Sequence, residues 1–285
     1  MGNLAWLNGK ISELDDAKVG VQDRGFLFGD GVYDVIKIYN GHPFRLISHL
    51  ERLQRSCNAI NIELPELIGE VERIIEILIK ESGCTDGFIY MQVTRGCAPR
   101  DHFFPIGAEP TFLIYILDLG FPSTKTSRKI TECITLPDER WMNCHIKSTN
   151  LLPNILSLQK AKEAGAGEAI LYRSDGAVTE GTRTNIFAVV DGTVRTHPES
   201  PLILSGITRN IALDILREAN ITVVEEAFSI DELGRASEVW TTSTGLEISP
   251  VNKVDGQLID TIVPGPVCSL LVDEFWKKVE AECGV

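Results

Sequence analysis

The stretch EAILYRSDGAVTEGTRTNIFAVVDG, residues 168–192, predicts two strands of a β-rich region with an acidic residue between them. Its runs 168–172 and 185–190 are rich in residues that favour strands, and the stretch closes on an Asp-Gly hairpin turn. Glu180 lies where the strand pattern breaks into a turn. A carboxylate there can cap the turn, or it can hold the ring nitrogen of a pyridine cofactor in its protonated form.

The flanking sequence predicts an α/β (α+β) protein with two domains. Strands are predicted at 33–39, 88–94, 111–117, 221–225 and 238–242, and helices at 46–60, 67–79, 151–164, 207–219 and 266–282. Ser48 is the predicted N-cap of the helix at 46–60. Turn formers and small polar residues predict a linker at 119–126, between a smaller domain at 1–118 and a larger one at 127–285.

The composition excludes several classes of protein. The 285 residues are 44% hydrophobic and carry a net charge of −13, so the chain can bury a large core and repels nucleic acid and anionic membrane surfaces. No apolar run is long enough to span a bilayer. The seven cysteines are odd in number and include no CxxC pair, which argues against a zinc site or a disulfide framework. We therefore expect a cytoplasmic protein with reduced thiols and no metal.

Lys147 is the candidate nucleophile in the segment RWMNCHIKSTNLL, residues 140–152. It stands among small polar residues just before a helical pattern, where a lysine can face a cleft at the end of a strand. Partial burial lowers the pKa of a lysine and makes it able to form a Schiff base. A solvent-exposed surface lysine is the alternative, because most lysines are exposed.

Three further features suit a phosphate group. Gly206, Ile207 and Thr208 open a predicted helix, and the free N–H groups of a first helical turn favour an anion. Hydroxyls follow the strand at 238–242, and Arg52 offers a cation. An ordinary helix start, a threonine-rich edge loop and a surface arginine are the corresponding alternatives.

Arg100 and His102 lie in the segment VTRGCAPRDHFFP, residues 93–105, in a loop that follows a predicted strand. Arginine can bind a carboxylate through two parallel hydrogen bonds, and the imidazole adds a donor. A basic surface loop is the alternative. The candidate residues together suit pyridoxal phosphate acting on an amino acid. They offer an amine nucleophile, an acid for a ring nitrogen, donors for a phosphate and a binding site for a carboxylate.

The sequence resembles the fold-type IV pyridoxal-phosphate enzymes, and within them the D-amino acid aminotransferases. The segments that carry the resemblance span nearly the whole chain in the family's order; they are DRGFLFGDGVYD (23–34), VTRGCAPRDHFFP (93–105), RWMNCHIKSTNLL (140–152), EAILYRSDGAVTEGTRTNIF (168–187), ILSGITR (203–209) and TTSTGLEISP (241–250). The resemblance implies a two-domain fold with the cofactor, pyridoxal 5'-phosphate, at the domain interface.

The resemblance also assigns roles to single residues. It implies that Lys147 is the Schiff-base lysine and proton shuttle, and that Glu180 is the partner of the pyridine nitrogen. The remaining cofactor contacts that it implies are Arg52, Ile207, Thr208 and Thr244 at the phosphate, Ser243 nearby, and Leu204 against the ring face.

The D-amino acid branch is implied by Tyr33, Arg100 and His102, which match the family's trap for the substrate α-carboxylate. The family works as a homodimer, in which Arg100 and His102 reach the site of the partner subunit. Two residues depart from the family's pattern: Arg183 stands where small residues are common, and Asp34 stands where Glu is frequent.

The resulting hypothesis is ping-pong transamination between D-amino acids (D-alanine, D-glutamate) and 2-oxo acids (2-oxoglutarate, pyruvate). Three alternatives share the fold: a branched-chain L-amino acid aminotransferase, an (R)-amine transaminase, which Arg183 keeps open, and an aminodeoxychorismate lyase. The alternative from a different class is a non-enzymatic protein that binds a phosphorylated ligand. Such a protein would need the residues that bind the phosphate but would not need Lys147.

Overall fold

The chain forms two compact units. A computed structural model describes residues 3–63, 67–119, 130–259 and 263–285. One unit is formed by Met1–Ser123, Ile146–Asn150 and Val279–Val285, and the other by Thr124–His145 and Leu151–Lys278. The predicted linker at 119–126 lies outside the described residues except for its first residue, so the predicted domain boundary stays a prediction.

The first unit is built on a six-stranded sheet in the order β2-β1-β6-β5-β3-β4, in which all neighbouring strands are antiparallel. Its elements are β1 (Leu4–Leu7), β2 (Lys10–Glu13), α1 (Arg24–Phe28), β3 (Gly31–Tyr39), β4 (His42–Pro43), α2 (Leu46–Ala59), α3 (Leu67–Ser82), β5 (Gly87–Thr94) and β6 (Thr111–Asp118).

The two faces of this sheet have different surroundings because side chains alternate along a strand. One face packs against α2 and α3. The fully buried residues at this contact include Ile36 on β3, Leu53 on α2 and Ile75 on α3. On β3, the opposite face carries Tyr33, and the ring of Tyr33 begins a row of tyrosines described below. The core therefore fixes β3 from one side and leaves its other side for polar and aromatic groups.

Local turn chemistry explains where several elements of the first unit end. Asn40 and Gly41 have φ angles of 49° and 77°, which the tight turn between β3 and β4 requires. Gly83 follows α3 with φ of 67°, the left-handed conformation that commonly closes a helix. The prediction of Ser48 as the N-cap of α2 is wrong: the helix begins after Arg45, which has φ of 58° and gives no side-chain cap.

The first unit is discontinuous in sequence. The side-chain amide of Asn40 donates to the carbonyls of Cys283 and Gly284, at 3.3 and 3.0 Å. The carboxylate of Glu282 accepts from the backbone N–H of Arg45 at 2.6 Å. These hydrogen bonds tie the segment Val279–Val285 to the β3–β4 turn, although about 240 residues separate them in the chain.

The second unit is built on a mixed sheet in the order β12-β11-β10-β13-β14-β7-β8-β9, with β15 paired to β14. Its elements are β7 (Thr131–Pro137), α4 (Leu152–Glu163), β8 (Glu168–Tyr172), β9 (Val178–Gly181), β10 (Asn185–Val190), β11 (Thr193–Thr196), α5 (Ile207–Glu218), β12 (Val223–Glu225), α6 (Ile230–Leu233), β13 (Glu238–Ser243), β14 (Glu247–Val254), β15 (Gln257–Leu258) and α7 (Pro266–Cys283), whose residues from Val279 onward belong to the first unit. The predicted mixture of helices and strands is confirmed.

The cysteines are free thiols, all seven of which lie in the described residues. Six of them are buried and Cys97 alone is exposed. In the described part of the chain, no helix is both long and apolar enough to cross a membrane.

Leu53→Ala should destabilise the first unit by about 2 to 5 kcal/mol, because it leaves a cavity under α2 where the wild-type side chain is fully buried. Urea unfolding followed by circular dichroism measures this change. Leu258→Ala is the control: Leu258 is 63% exposed, and its truncation should change the free energy of unfolding by less than about 0.5 kcal/mol. If Leu53→Ala and Leu258→Ala lower the free energy of unfolding by the same amount, this description of the core is wrong.

Candidate active site

The segment that carries Lys147 is hydrogen-bonded to the start of β3. The N–H of Tyr33 donates to the carbonyl of Lys147 at 2.9 Å, and Val32 forms an isolated β-bridge with Ser148. The hydroxyl of Ser56, on α2, accepts from the N–H of Lys147 at 3.3 Å. The backbone of the candidate nucleophile is therefore fixed by a strand and a helix of the same unit.

The Lys147 side chain is half-buried and lies against an aromatic row. Its ammonium nitrogen is 4.5 Å from the centroid of the Tyr33 ring. The Tyr33 ring stacks on Tyr90 at 5.7 Å, and Tyr90 stacks on Tyr115 at 4.9 Å. Burial, reinforced by Tyr115, raises the pKa of Tyr90, so this phenol stays neutral at physiological pH. The side chain of Lys147 is therefore partly shielded from solvent and lies against a neutral aromatic surface.

Arg52 is buried beneath this segment rather than exposed, so the surface alternative for it is wrong. Its Nε and one terminal nitrogen each donate to the carboxylate of Asp34 at 2.8 Å, and His49 Nδ1 lies 2.7 Å from the same carboxylate. Burial alone would raise the pKa of Asp34, but Arg52 and His49 outweigh it and hold that pKa well below its usual range. Burial also lowers the pKa of His49, despite the opposing charge of Asp34. The shorter acid at position 34 thus reaches both of its partners.

Arg100 and His102 are exposed, and both lie beside one aromatic ring. The guanidinium carbon of Arg100 is 5.1 Å from the centroid of Phe28, and the His102 ring is 5.5 Å from it. Within the described residues of this single chain, no hydrogen bond or ring contact joins Tyr33 to either residue. The structure therefore brings two members of the predicted carboxylate trap together, and leaves Tyr33 with Lys147.

Glu180 is the second-last residue of β9 in the second unit and is 5% exposed. One of its oxygens accepts from Arg140, and the other accepts from the Asn185 amide at 2.9 Å and the Leu204 N–H at 3.0 Å. Burial raises the pKa of Glu180, although Arg140 and the Leu204 N–H oppose that rise. A carboxylate offers about four acceptor positions. Three are filled, so Glu180 can accept from one more donor, such as a protonated ring nitrogen.

Arg140 was not anticipated from the sequence, although it holds Glu180 in place. Its guanidinium donates to Asp138 at 2.9 and 2.8 Å as well as to Glu180. Burial would lower the pKa of Arg140, but the two carboxylates reverse the effect and raise it, so the group stays charged. Asn185 was also missed as a site residue, although it stands inside the quoted stretch. Neither residue has a spacing that reveals its partner, because the contacts form only when β9 and its neighbours assemble.

The start of α5 lies close to Glu180. The helix begins at Ile207, after Gly206, and no side chain caps its first turn. A Cβ on Gly206 would be 2.1 Å from the side-chain oxygen of Asn185, so only glycine allows this approach. Asn185 contacts both Glu180 and the carbonyl of Leu204, which links the predicted ring-nitrogen acid to the predicted phosphate-binding turn.

Ser243 is the last residue of β13 and Thr244 follows it; both are half-buried. The hydroxyl of Ser243 accepts from the Leu246 N–H at 3.0 Å, which closes the turn into β14. The hydroxyls of Thr241 and Thr242 are buried with no hydrogen-bond partner among the described residues. An unpaired buried hydroxyl is costly unless a ligand satisfies it.

Arg183, the first departure from the family's pattern, is exposed on a rigid turn. The hydroxyls of Thr182 and Thr184, on either side of it, both donate to the fully buried carboxylate of Glu168. The Gly181 N–H donates to the carbonyl of Thr184 at 2.7 Å. The turn therefore holds the backbone of Arg183 still and leaves its guanidinium in solvent.

These residues fit pyridoxal phosphate at both of its ends. The uncapped first turn of α5 and the unpaired hydroxyl of Thr242 provide donors for a phosphate. The unfilled acceptor position of Glu180 suits a protonated pyridine nitrogen. The second unit therefore offers donors for an anion and an acid for a cationic ring, which are the contacts that the two ends of this cofactor need.

The family is shown by comparison with known proteins. Residues 31–254 match the family described as amino-transferase class IV. The chain belongs to the class IV aminotransferases, which use pyridoxal phosphate. The predicted fold type and cofactor are therefore confirmed.

Two similar proteins carry the name D-alanine aminotransferase. The protein from Bacillus licheniformis is 43% identical over 91% of each chain, and that from Staphylococcus haemolyticus is 38% identical over 97% of this chain and 98% of its own. Among solved structures, the branched-chain aminotransferase of Thermoproteus uzoniensis with norvaline matches with a TM-score of 0.88 at 26% identity, covering 99% of this chain and 95% of its own. The Escherichia coli branched-chain amino acid aminotransferase matches with a TM-score of 0.89 at 25% identity, covering 97% and 94%.

Asp34→Asn should destabilise the protein by about 3 kcal/mol at pH 7, because it removes the carboxylate that neutralises the buried Arg52. The folded pKa of Asp34 is depressed, so the wild-type advantage is fully present above the unfolded value near 4 and is lost as the pH falls below it. Urea unfolding of both proteins between pH 7 and pH 3 measures the difference. Asp191→Asn, at an exposed turn, is the matched control and should change little. A wild-type advantage that grows on acidification would refute this assignment.

Proposed function

We propose that this class IV aminotransferase moves amino groups between D-amino acids, such as D-alanine and D-glutamate, and 2-oxo acids, such as 2-oxoglutarate and pyruvate. The observation that carries the proposal is that Arg100 and His102, on one exposed loop, both lie against the ring of Phe28. An exposed guanidinium beside an imidazole can bind the α-carboxylate that both kinds of substrate share. The two relatives named above, which carry the name of D-alanine aminotransferases, support the same reaction.

The cofactor supplies an aldehyde that takes up the amino group and a ring that withdraws electrons from the substrate α-carbon. In our proposal, Lys147 would hold the cofactor through its Nζ, and the same amine, when it is free, would take the α-hydrogen of the substrate as a proton. By fixing the α-carboxylate, the clamp would decide which enantiomer directs its single α-hydrogen at Nζ. Because the D-amino acid and the 2-oxo acid would use the same residues in turn, the kinetics should be ping-pong.

The remaining roles follow from charge and hydrogen-bonding capacity. Glu180 would accept from the ring nitrogen and keep it protonated, with Arg140 and Asn185 holding the carboxylate in place. The other residues proposed to hold the cofactor are Arg52, Ile207, Thr208, Ser243 and Thr244 around the phosphate and Leu204 at the ring face, and Tyr33 is proposed to join the carboxylate clamp.

We propose further that the enzyme is a cytoplasmic homodimer. Phe103, Phe104 and Ile106, in and just after the clamp loop, are 83%, 57% and 105% exposed, and a cluster of large apolar residues at the surface favours contact with another protein. A second copy of the chain is the partner that the family resemblance implies. The free thiols of all seven cysteines suit a reducing compartment.

A branched-chain L-amino acid aminotransferase is the second candidate, since the solved structures named above carry that name. That reaction would require the carboxylate to be bound elsewhere, because the opposite enantiomer must present its α-hydrogen to Lys147.

The purified enzyme should transfer the amino group of D-alanine to its cofactor and leave L-leucine unreacted. Single-turnover absorbance changes with D-alanine, L-leucine and (R)-phenylethylamine, each as sole amine, measure the three reactions. We expect D-alanine to react at least about 100-fold faster than L-leucine, a difference of about 3 kcal/mol in transition-state binding. If L-leucine reacts and D-alanine does not, the assignment to D-amino acids is wrong.

Lys147→Ala should abolish turnover and covalent attachment of the cofactor. Treating the wild-type enzyme with borohydride, followed by peptide mass mapping, should find the cofactor fixed to Lys147, because the reductant traps the lysine bonded to it. Lys80→Ala, at an exposed position on α3, is the control and should keep both properties. Label on another lysine, or none at all, would exclude the proposed nucleophile and favour a protein that only binds a phosphorylated ligand.

A further inference from the structure

The helix α1 is fastened to the loop that carries the carboxylate clamp. The N–H of Arg24 donates to the carbonyl of Gly96 at 2.9 Å, and the N–H of Arg95 donates to the carbonyl of Asp30 at 3.1 Å. Asp23 caps α1 by accepting from the Gly25 N–H at 2.8 Å. These bonds join the segment that begins DRGF to the start of the clamp loop at its backbone.

The side chain of Arg24 holds the loop on both sides of His102. It is 4% exposed, and one terminal nitrogen donates to the carbonyls of Asp101 and Phe103, at 2.6 and 3.3 Å. Its Nε donates to Asp30 at 2.7 Å. A buried guanidinium with three acceptors in fixed directions has little freedom to move, so the backbone around His102 is fixed with it.

Asp30 connects Arg24 to a second arginine, Arg95. The carboxylate accepts two hydrogen bonds from Arg95, at 2.8 and 2.9 Å, and the guanidinium carbon of Arg95 lies 3.6 Å from the centroid of the Phe104 ring. Burial would raise the pKa of Asp30, but Arg95 and Arg24 outweigh it and lower the pKa, so Asp30 is ionised at neutral pH. The network therefore supports the loop at both of its ends.

Phe28 supplies the surface on which the two clamp side chains lie. Arg24 at 4.8 Å, Arg100 at 5.1 Å and the His102 ring at 5.5 Å all surround its ring. Arg100 and His102 are exposed, and a long exposed arginine samples many rotamers unless a neighbour restricts it. The ring of Phe28 provides such a restriction, because it attracts the guanidinium of Arg100 and packs against the ring of His102.

We propose that Phe28 and Arg24 are positioning residues that set the orientation of Arg100 and His102 before a substrate arrives. Arg24 fixes the backbone of the loop, and Phe28 fixes the two side chains on it. The inference rests on the proposed function, since it concerns the binding of the α-carboxylate. It holds whichever subunit's substrate the loop serves, because every contact used lies within one chain.

A double-mutant cycle on Phe28 and Arg100 tests this role, with KM and kcat for D-alanine measured in each variant. Phe28→Leu should raise KM by about fivefold to tenfold and change kcat by less than about twofold, since binding of the carboxylate is lost and the chemistry is retained. Phe28→Tyr keeps the ring and should restore KM to within about twofold of wild type. In the Arg100→Ala background, Phe28→Leu should raise KM by a smaller factor than it does in the wild type, because one of the two groups that Phe28 orients is gone and only His102 remains.

The absorbance of the bound cofactor and the thermal unfolding temperature should be the same in Phe28→Leu and in the wild type, which separates positioning from a loss of fold. If Phe28→Leu does not fold, Phe28→Met fills a similar volume without the aromatic face and takes its place in the cycle. The same fold-change in both backgrounds, or a fall in kcat with KM unchanged, would overturn the proposal. Failure of the proposed function shows separately, as a wild-type enzyme that does not react with D-alanine.

Discussion

The hydrogen bond from the N–H of Tyr33 to the carbonyl of Lys147 is the contact on which the first half of the candidate site depends. It attaches a short segment from the middle of the chain to β3, whose other face is held by the helical core. Strand geometry then decides what Lys147 meets, because alternate residues of β3 point to opposite faces. Tyr33 turns toward the lysine, whereas Asp34 turns toward Arg52 and His49.

Buried charge is the common feature of both units. Each buried carboxylate discussed above is matched by cations or N–H and O–H donors: Asp34 by Arg52, Glu180 by Arg140 and Asn185, and Glu168 by Thr182 and Thr184. A buried ion without a partner would lose its charge or would cost several kcal/mol of folding free energy. That cost is on the order of the whole stability of a domain. Removing one partner of such a pair would therefore disturb a candidate ligand contact and the fold together.

The sequence predicted the regular elements better than the contacts between them. The strands at 168–172 and 185–190 and the helix at 207–219 have strong local patterns, and the structure has β8, β10 and α5 there. The strands β1, β7 and β14 were missed because they are short or rich in polar residues, and β14 contains Pro250. The site residues were found because their motifs resemble those of a family. The supporting groups Arg140, Asn185 and Arg24 lie inside the same motifs, but their roles were missed because a side-chain hydrogen bond leaves no periodicity in the sequence.

The discontinuity of the first unit has a consequence for biosynthesis. Its sheet, α2 and α3 come from the early part of the chain, but the Lys147 segment and the segment Val279–Val285 leave the ribosome much later. The carbonyls of Cys283 and Gly284, which accept from the side chain of Asn40, are made more than 200 residues after Asn40 itself. The first unit is therefore completed only after most of the second unit has been synthesised.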